Sequence, residues 1–478
     1  MTPNHMTLTD AAAAIRNREV TCAGLLQSCL DAIDAHEPQV NAIISIDREG
    51  AMQAAQAADQ AVSSGAELGP LHGIPMAHKD MYYQRGKIST CGSQIRREWA
   101  ADRTATVLDR LHQAGSITFA ALNMAEFAQN PTGHNRHHGD CHNPWNLPYI
   151  TGGSSSGSGA AIAARFAFAA LGSDTGGSIR LPASACGVTG LKPTQTRVSR
   201  AGVMPLSFSA DNVGPLVRTA RDCARIMQVI AGHDPADPTS AREPVPDYEA
   251  ALTGDLRATR IGLVTNPDLM GTDTPIVAAI AEATKALAAR GATIVPIELP
   301  HMEAVAAYSS IVSRCEAAAI HARWMRDQPG DYAIHLSARL YAGYAIPAAY
   351  YIEALSARGP LLQAFAADVF AKVDIIALPT IPTNLPTLAD TDIDHGPSGT
   401  EATFMAVSSN TRPFNYLGLP GISIPCGLDL NGLPIGLQLL GRPFAEPRIL
   451  AAADAYQRET TWHTTSPLSE REVLGENT

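Results

Sequence analysis

Two glycine- and serine-dense runs hold most of the side chains that could do chemistry. The first, Gly152-Gly153-Ser154-Ser155-Ser156-Gly157-Ser158, leads into an alanine-rich stretch, and the second is Gly172-Ser173-Asp174-Thr175-Gly176-Gly177-Ser178-Ile179-Arg180. In the second run, paired glycines let the chain turn so that the amides of Thr175, Gly176, Gly177 and Ser178 could converge on one point, the construction of an oxyanion hole. A serine nucleophile there needs a base, and lysine serves only if burial in an apolar site keeps it neutral. Lysine is scarce: Lys79, Lys87, Lys192, Lys285 and Lys372 are all there are. Lys79 is the one at the end of an apolar strand, in Gly73-Ile74-Pro75-Met76-Ala77-His78-Lys79-Asp80, where a rigid scaffold places catalytic groups.

Other designs fit the first run less well. A phosphate-binding loop needs lysine where Ser158 stands, and that reading fails. Gly153-Ser154-Ser155-Ser156-Gly157 satisfies the G-x-S-x-G of a hydrolase elbow, which would make Ser155 the nucleophile with a late histidine such as His395 or His463. A plain strand-to-helix turn with capping serines is the third possibility. His134, His137, His138, Cys141 and His142 crowd together as zinc ligands do, but their spacing is not that of a standard finger. They read better as a polar loop leading into the Ser154 turn, so no metal site is expected there, and the serine chemistry above calls for no metal or organic cofactor.

The 478 residues carry 35 basic and 46 acidic side chains, a formal charge of −11, with 45% hydrophobic and 17% charged residues. This is an ordinary globular composition, without the basic face that phosphate backbones require. The longest apolar stretch, 160–171, is interrupted by Arg165 and falls short of the ~20 residues needed to cross a bilayer. No secretory signal pattern opens the chain, so the expected compartment is the cytoplasm. Eight scattered cysteines without a C-x-x-C pair point to reduced, buried thiols.

Thr9 and Thr21 read as caps of two opening helices, the second ending near Glu37-Pro38, with a third at 51–62. Strands follow at 74–77 and 116–122 around a helix at 105–114, then a strand near 169–173. Beyond it come a helix at 218–230, strands at 260–264 and 293–297 around a helix at 276–289, helices through 302–372, and a strand at 373–378. Asn431-Gly432 marks a hairpin between 421–428 and 434–440, so the sheet is mixed. The expected division is a helical segment 1–66 packed on a domain 67–465, with a tail 466–478. The 389–400 loop is a candidate lid.

Taken together, Gly73-Ile74-Pro75…Lys79-Asp80, both serine-glycine runs, Leu181-Pro182-Ala183, Cys186-Gly187-Val188…Gly190-Leu191-Lys192-Pro193-Thr194, Asn123-Met124-Ala125-Glu126-Phe127 and Gly418-Leu419-Pro420-Gly421-Ile422-Ser423-Ile424-Pro425 resemble the amidase signature family over roughly residues 10 to 460. The resemblance implies one large α/β domain, a mixed twisted sheet flanked by helices. It implies a Ser–cisSer–Lys triad of nucleophile Ser178, bridging Ser154 and base Lys79, an oxyanion hole from Thr175 to Ser178, and Ser155, Asp174 and Arg180 as supporting residues. Met124, Phe127, Gly153 and Arg358 are the substrate-side candidates, with Tyr341, Tyr344, Tyr350 and Phe414 as further wall residues. The implied function is hydrolysis of a small carboxamide, carbamate, ureido compound or ester through an acyl-enzyme; composition adds the expectation of no nucleic acid or membrane partner, and a homodimer is the default assembly on base rate. Two alternatives stand beside it. One is the glutamine-hydrolysing member of a tRNA-dependent amidotransferase, which passes ammonia to a partner; the other is a non-catalytic interaction module of the same fold. In the amidotransferase branch an acidic residue three positions before the threonine of T-x-P-x-N helps hold the glutamine amino group. Here, in Thr411-Arg412-Pro413-Phe414-Asn415, that position is Ser408. Arg358 either binds a glutamine carboxylate or is an exposed arginine at a helix end.

Overall fold

Strand β2 (Pro75–Lys79) is buried along its whole length, as is β4 (Ala169–Asp174), the signature of strands covered on both faces. They sit inside one sheet of eleven strands in a computed structural model that describes residues 2–271 and 273–467. The others are β1 (Ile43–Ile46), β3 (Ile117–Leu122), β5 (Thr189–Lys192), β6 (Asn212–Val217), β7 (Arg260–Val264), β8 (Thr293–Ile297), β9 (Ile375–Pro379), β10 (Gly421–Leu428) and β11 (Pro434–Gly441). The order across the sheet is β1-β3-β2-β4-β6-β5-β10-β11-β9-β7-β8. β2 runs parallel to both β3 and β4, and β7 parallel to β8 and β9. Antiparallel pairs join these parallel ends through β6, β5, β10 and β11. Helices flank this mixed sheet to make a single α/β domain. No helix among the described residues is long and apolar enough to cross a membrane.

The N-terminal segment departs from its all-helical reading. Ile43–Ile46 pairs antiparallel with β3, so the first 66 residues supply an edge strand to the main sheet as well as helices. A four-residue strand is too short for alternation to stand out. The first helix, Leu8–Arg16, is capped by Thr7 rather than Thr9, which instead binds Asp222 through its amide and hydroxyl. The second, Cys22–Val40, is capped by Thr21 and runs through Pro38 to a left-handed Asn41. β5 and β6 escape the sequence pattern, because glycine and proline interrupt them. Of the tail, residues 468–478 lie outside the described residues.

The first serine run becomes a tight link between β1, β3 and the helix Ser156–Ala163. Gly157 donates its amide to Asn123 O, and a Cβ there would stand 2.3 Å from Ala42 O and 2.6 Å from Asn123 N. That contact with backbone cannot be relieved by a side-chain rotation. Gly157→Ala is therefore expected to destabilise the fold by about 1–3 kcal/mol, seen as a lower midpoint in urea unfolding; an unchanged midpoint would show that this helix is not pinned to the sheet.

Candidate active site

Lys79 ends β2 with its side chain wholly buried. Its Nζ lies 2.7 Å from Ser154 Oγ and 2.9 Å from Ser173 Oγ. Burial pulls its pKa down to about 7, against the opposing fields of Asp211 and Asp174. Neither acid pairs with it. Asp211 accepts from the Thr175 hydroxyl and the amides of Leu206 and Ser207, and Asp174 is bound to Arg180. Lys192 is equally buried and also lowered to about 7, yet among the described residues its Nζ donates only to Pro193 O. Of these two buried lysines, Lys79 is the one in contact with serine hydroxyls.

Ser154 follows Gly153 through a cis peptide bond. A side chain at 153 would strike Asn130 O at 2.7 Å, so this glycine lets the serine turn nest against the segment 130–132. Ser178, 9% exposed, lines a cavity with Gln129, Thr175, Gly176, Ser408 and Arg412. The two serine runs are tied together by the Ser155 amide, which donates to Ser178 O at 3.3 Å. The Ser155 hydroxyl accepts from Ser173 N and donates to Ser173 O, both at 3.2 Å. No hydrogen bond joins the Ser154 and Ser178 hydroxyls among the described residues; catalytic contacts of this kind often tighten only with substrate bound.

Asp174 organises the second run. Its carboxylate accepts from Gly177 N at 2.8 Å, from Asn415 Nδ2 at 2.8 Å, and from Arg180 Nε and Nη2 at 3.0 Å each. Arg180 is held in turn by Gln438, Asn415 and Thr411 O. Of the four amides expected to form an oxyanion hole, that of Gly177 donates to Asp174 in this structure. Gly177 is needed for another reason, since φ is +128° and a Cβ would sit 2.1 Å from Thr411 Oγ1.

Several expected substrate contacts lie elsewhere. Met124 is fully buried in the core, and Phe127 packs on His321, Trp324 and Tyr332. Arg358 bonds Gln195, Ser209 O and Asn415 O and is outside the cavity lining. Phe414 is core, while Tyr341, Tyr344 and Tyr350 face solvent. Residue type alone could not separate core from wall at these positions. The histidine cluster fastens loops: His134 bridges Asp140 and Thr391, His137 meets Glu126, and His138 meets Thr90. The 389–400 segment is clamped by Arg136 through Asp392 and Asp394 and by His335 through Asp394. Sequence reasoning overlooked Ser173, Arg339 and Arg412. Ser173 stood inside a motif already singled out, and Arg412 inside the T-x-P-x-N run, whereas Arg339 sits in a helix with nothing to mark it.

The mixed sheet thus carries a buried lysine against a serine-glycine turn. The family model described as amidase matches residues 24–450, and the chain belongs to that family. Among curated relatives, the A-type chain of glutamyl-tRNA(Gln) amidotransferase from Roseiflexus sp. is 41% identical over 97% of this chain and 98% of its own. A solved structure described as an unexpected vestigial protein complex, revealing the origins of an s-triazine catabolic enzyme, superposes with a TM-score of 0.88 at 31% identity, covering 95% of this chain and 98% of the other. The corresponding glutamyl-tRNA(Gln) amidotransferase chain from Thermotoga maritima superposes at 0.77 with 28% identity over 94% and 97%. These relatives overturn the expectation of a small-molecule amide or carbamate substrate without nucleic acid, because their own names tie them to an amidotransferase that works on charged tRNA.

Burial alone would raise the Asp174 carboxyl, but the Arg180 charge and its hydrogen bonds outweigh that and hold it at about 2. With an unfolded value of ~3.9, its contribution to stability is present above pH ~4 and lost as pH falls toward 2. Arg180→Met, which strands the carboxylate, is expected to cost about 3–5 kcal/mol at pH 7. In urea unfolding the gap to the parent protein should narrow as pH falls from 7 to 3. A gap of constant size would contradict this account of the pair.

Proposed function

We propose that the chain hydrolyses a carboxamide through an acyl-enzyme on Ser178, as the ammonia-releasing component of an amidotransferase-type assembly. The observation that carries the chemistry is the contact of buried Lys79 with Ser154. A lysine whose pKa falls near 7 is a base at working pH. Neutral Lys79 takes a proton from Ser154 as Ser154 takes one from Ser178, and Ser178 Oγ attacks the amide carbonyl. The amides of Thr175, Gly176 and Ser178 receive the developing oxyanion. The protons then return along the same path to the leaving nitrogen, ammonia departs, and water hydrolyses the ester to regenerate Ser178.

The assembly is supported by end-to-end similarity to the matching chains of glutamyl-tRNA(Gln) amidotransferases. In that setting the ammonia passes to a partner chain, with a glutamyl-tRNA as its acceptor. Ammonia release from carboxamide donors by the purified protein, alone and with an extract of the source cells, tests this half of the reading. Release that climbs at least tenfold with extract is expected; release indifferent to extract would detach the chemistry from the assembly.

The base makes its own prediction. Because burial lowers Lys79, the active form is the deprotonated one, so kcat/KM should rise about tenfold per pH unit below 7 and level off above 8. Ser178→Ala should remove turnover. A flat profile from pH 5.5 to 8.5, with chemistry shown to limit the rate, would exclude Lys79 as the base.

A further inference from the structure

Lys79 touches a second hydroxyl that the proton path from Ser178 does not use. Ser173 Oγ lies 2.9 Å from Lys79 Nζ, against 2.7 Å for Ser154 Oγ. Ser173 stands in β4 opposite Val213 of β6 and is buried. Its amide donates to Ser155 Oγ, and its carbonyl accepts from the same hydroxyl. The main chain at 173 is thus clamped, and a rigid strand delivers the side chain to Nζ. The other charged and titratable groups around Nζ are already accounted for. Asp211 accepts from Thr175, and Asp174 is paired with Arg180. Burial pushes the Cys91 thiol up to about 12 and holds the neighbouring His78 down at about 4, so both are neutral. Asp80, next along the chain, accepts from the Thr90 amide.

A lysine ammonium carries three N–H donors and no acceptor, and loss of one proton leaves two donors and a lone pair. The lone pair must face the Ser154 hydroxyl, whose proton it takes, so the two N–H groups must point elsewhere. A hydroxyl can donate or accept. Were Ser173 to donate to Nζ, it would occupy the lone pair, and Lys79 could take nothing from Ser154. Ser173 must therefore accept, and its own proton needs a different acceptor. The fold supplies one through a second cavity of about 380 Å³, which Ser173 lines with Met204, Asp211 and Asn212. The exposed side chains of Arg103 and Phe208 also border it, so solvent reaches this space. None of its lining residues borders the cavity in front of Ser178. Solvent on this side takes the Ser173 proton and leaves its oxygen free to accept from Lys79.

We propose that Ser173 is the positioning residue for the base: by accepting one N–H of Lys79 it turns the lone pair of the amine toward Ser154. The proposal rests on the reading of Lys79 as the base for Ser154 and Ser178, and it names the residue that aims it.

Threonine and valine at position 173 test this, because the two side chains share a shape, both suit a buried strand, and only one carries a hydroxyl. The readout is the rate at which a fluorophosphonate modifies Ser178 in the full chain, followed from pH 5.5 to 9. Ser173→Thr is expected to keep the parent rate and the parent midpoint. Ser173→Val should react about 10- to 100-fold more slowly on the alkaline plateau, the scale of a misaimed catalytic group. Its midpoint should fall by about 1 pH unit, because the ammonium loses an acceptor that is worth more to it than to the neutral amine. That direction separates aim from packing, since a loosened site that let water around Lys79 would move the midpoint up toward an ordinary lysine. Ser173→Ala removes the hydroxyl without adding bulk and carries the same expectation if the valine variant does not fold. Threonine and valine variants that react alike, or a midpoint that rises in Ser173→Val, would overturn the proposal, while a parent rate that climbs through pH 7 would leave Lys79 standing as the base. A parent rate that is flat across the range removes the base itself, and Ser173 with it.

Discussion

The proposed chemistry depends on one lysine being able to lose its charge inside a sheet. Lys79 sits at the end of a strand buried on both faces, where an ammonium group loses its hydration and, among the described residues, gains two hydroxyls in return. A carboxylate paired to Nζ would restore the charge and end its use as a base. The surrounding structure prevents that by giving each neighbouring acid a better partner. Asp174 has Arg180, and Asp211 has three donors of its own.

That arrangement explains why the two serine-glycine runs are so demanding in composition. Ser155 ties one run to the other through both Ser173 and Ser178. Asp174 draws in the Gly177 amide and thereby fixes the turn that presents Ser178. Gly177 and Gly153 stand where any side chain would collide with Thr411 or with the backbone at 130. The Arg180 network with Gln438 and Asn415 then fastens the turn to β11 and to the T-x-P-x-N segment. A rigid frame of this kind holds hydrogen-bond donors in place before charge develops, which is where electrostatic catalysis gains most.

Much of this was legible in the sequence, for identifiable reasons. β7 and β8 fall at the residues expected because each is a compact apolar run beside a helix with clear ends. The hairpin at Asn431-Gly432 followed from turn chemistry alone. Lys79 stood out as a lysine closing an apolar strand, and its place beside Ser154 was implied by the resemblance to the amidase signature family. By contrast β1, β5 and β6 carry too few residues or too much glycine and proline for periodicity to mark them. The engagement of Gly177 N by Asp174 depends on where a side chain folds back, and no spacing rule encodes it. Arg339 and Arg412 come to one cavity from distant parts of the chain, so only the fold reveals that their charges meet.

The central claim is that burial of Lys79 makes Ser178 a nucleophile near neutral pH. The most direct measurement is the rate of fluorophosphonate reaction as a function of pH, with the modified residue located by peptide mass mapping. The account predicts label on Ser178, a rate that rises through an apparent pKa near 7, and loss of that rise in Lys79→Met. Label on Ser155, or on Ser178 at a rate that does not change between pH 5.5 and 8.5, would contradict it.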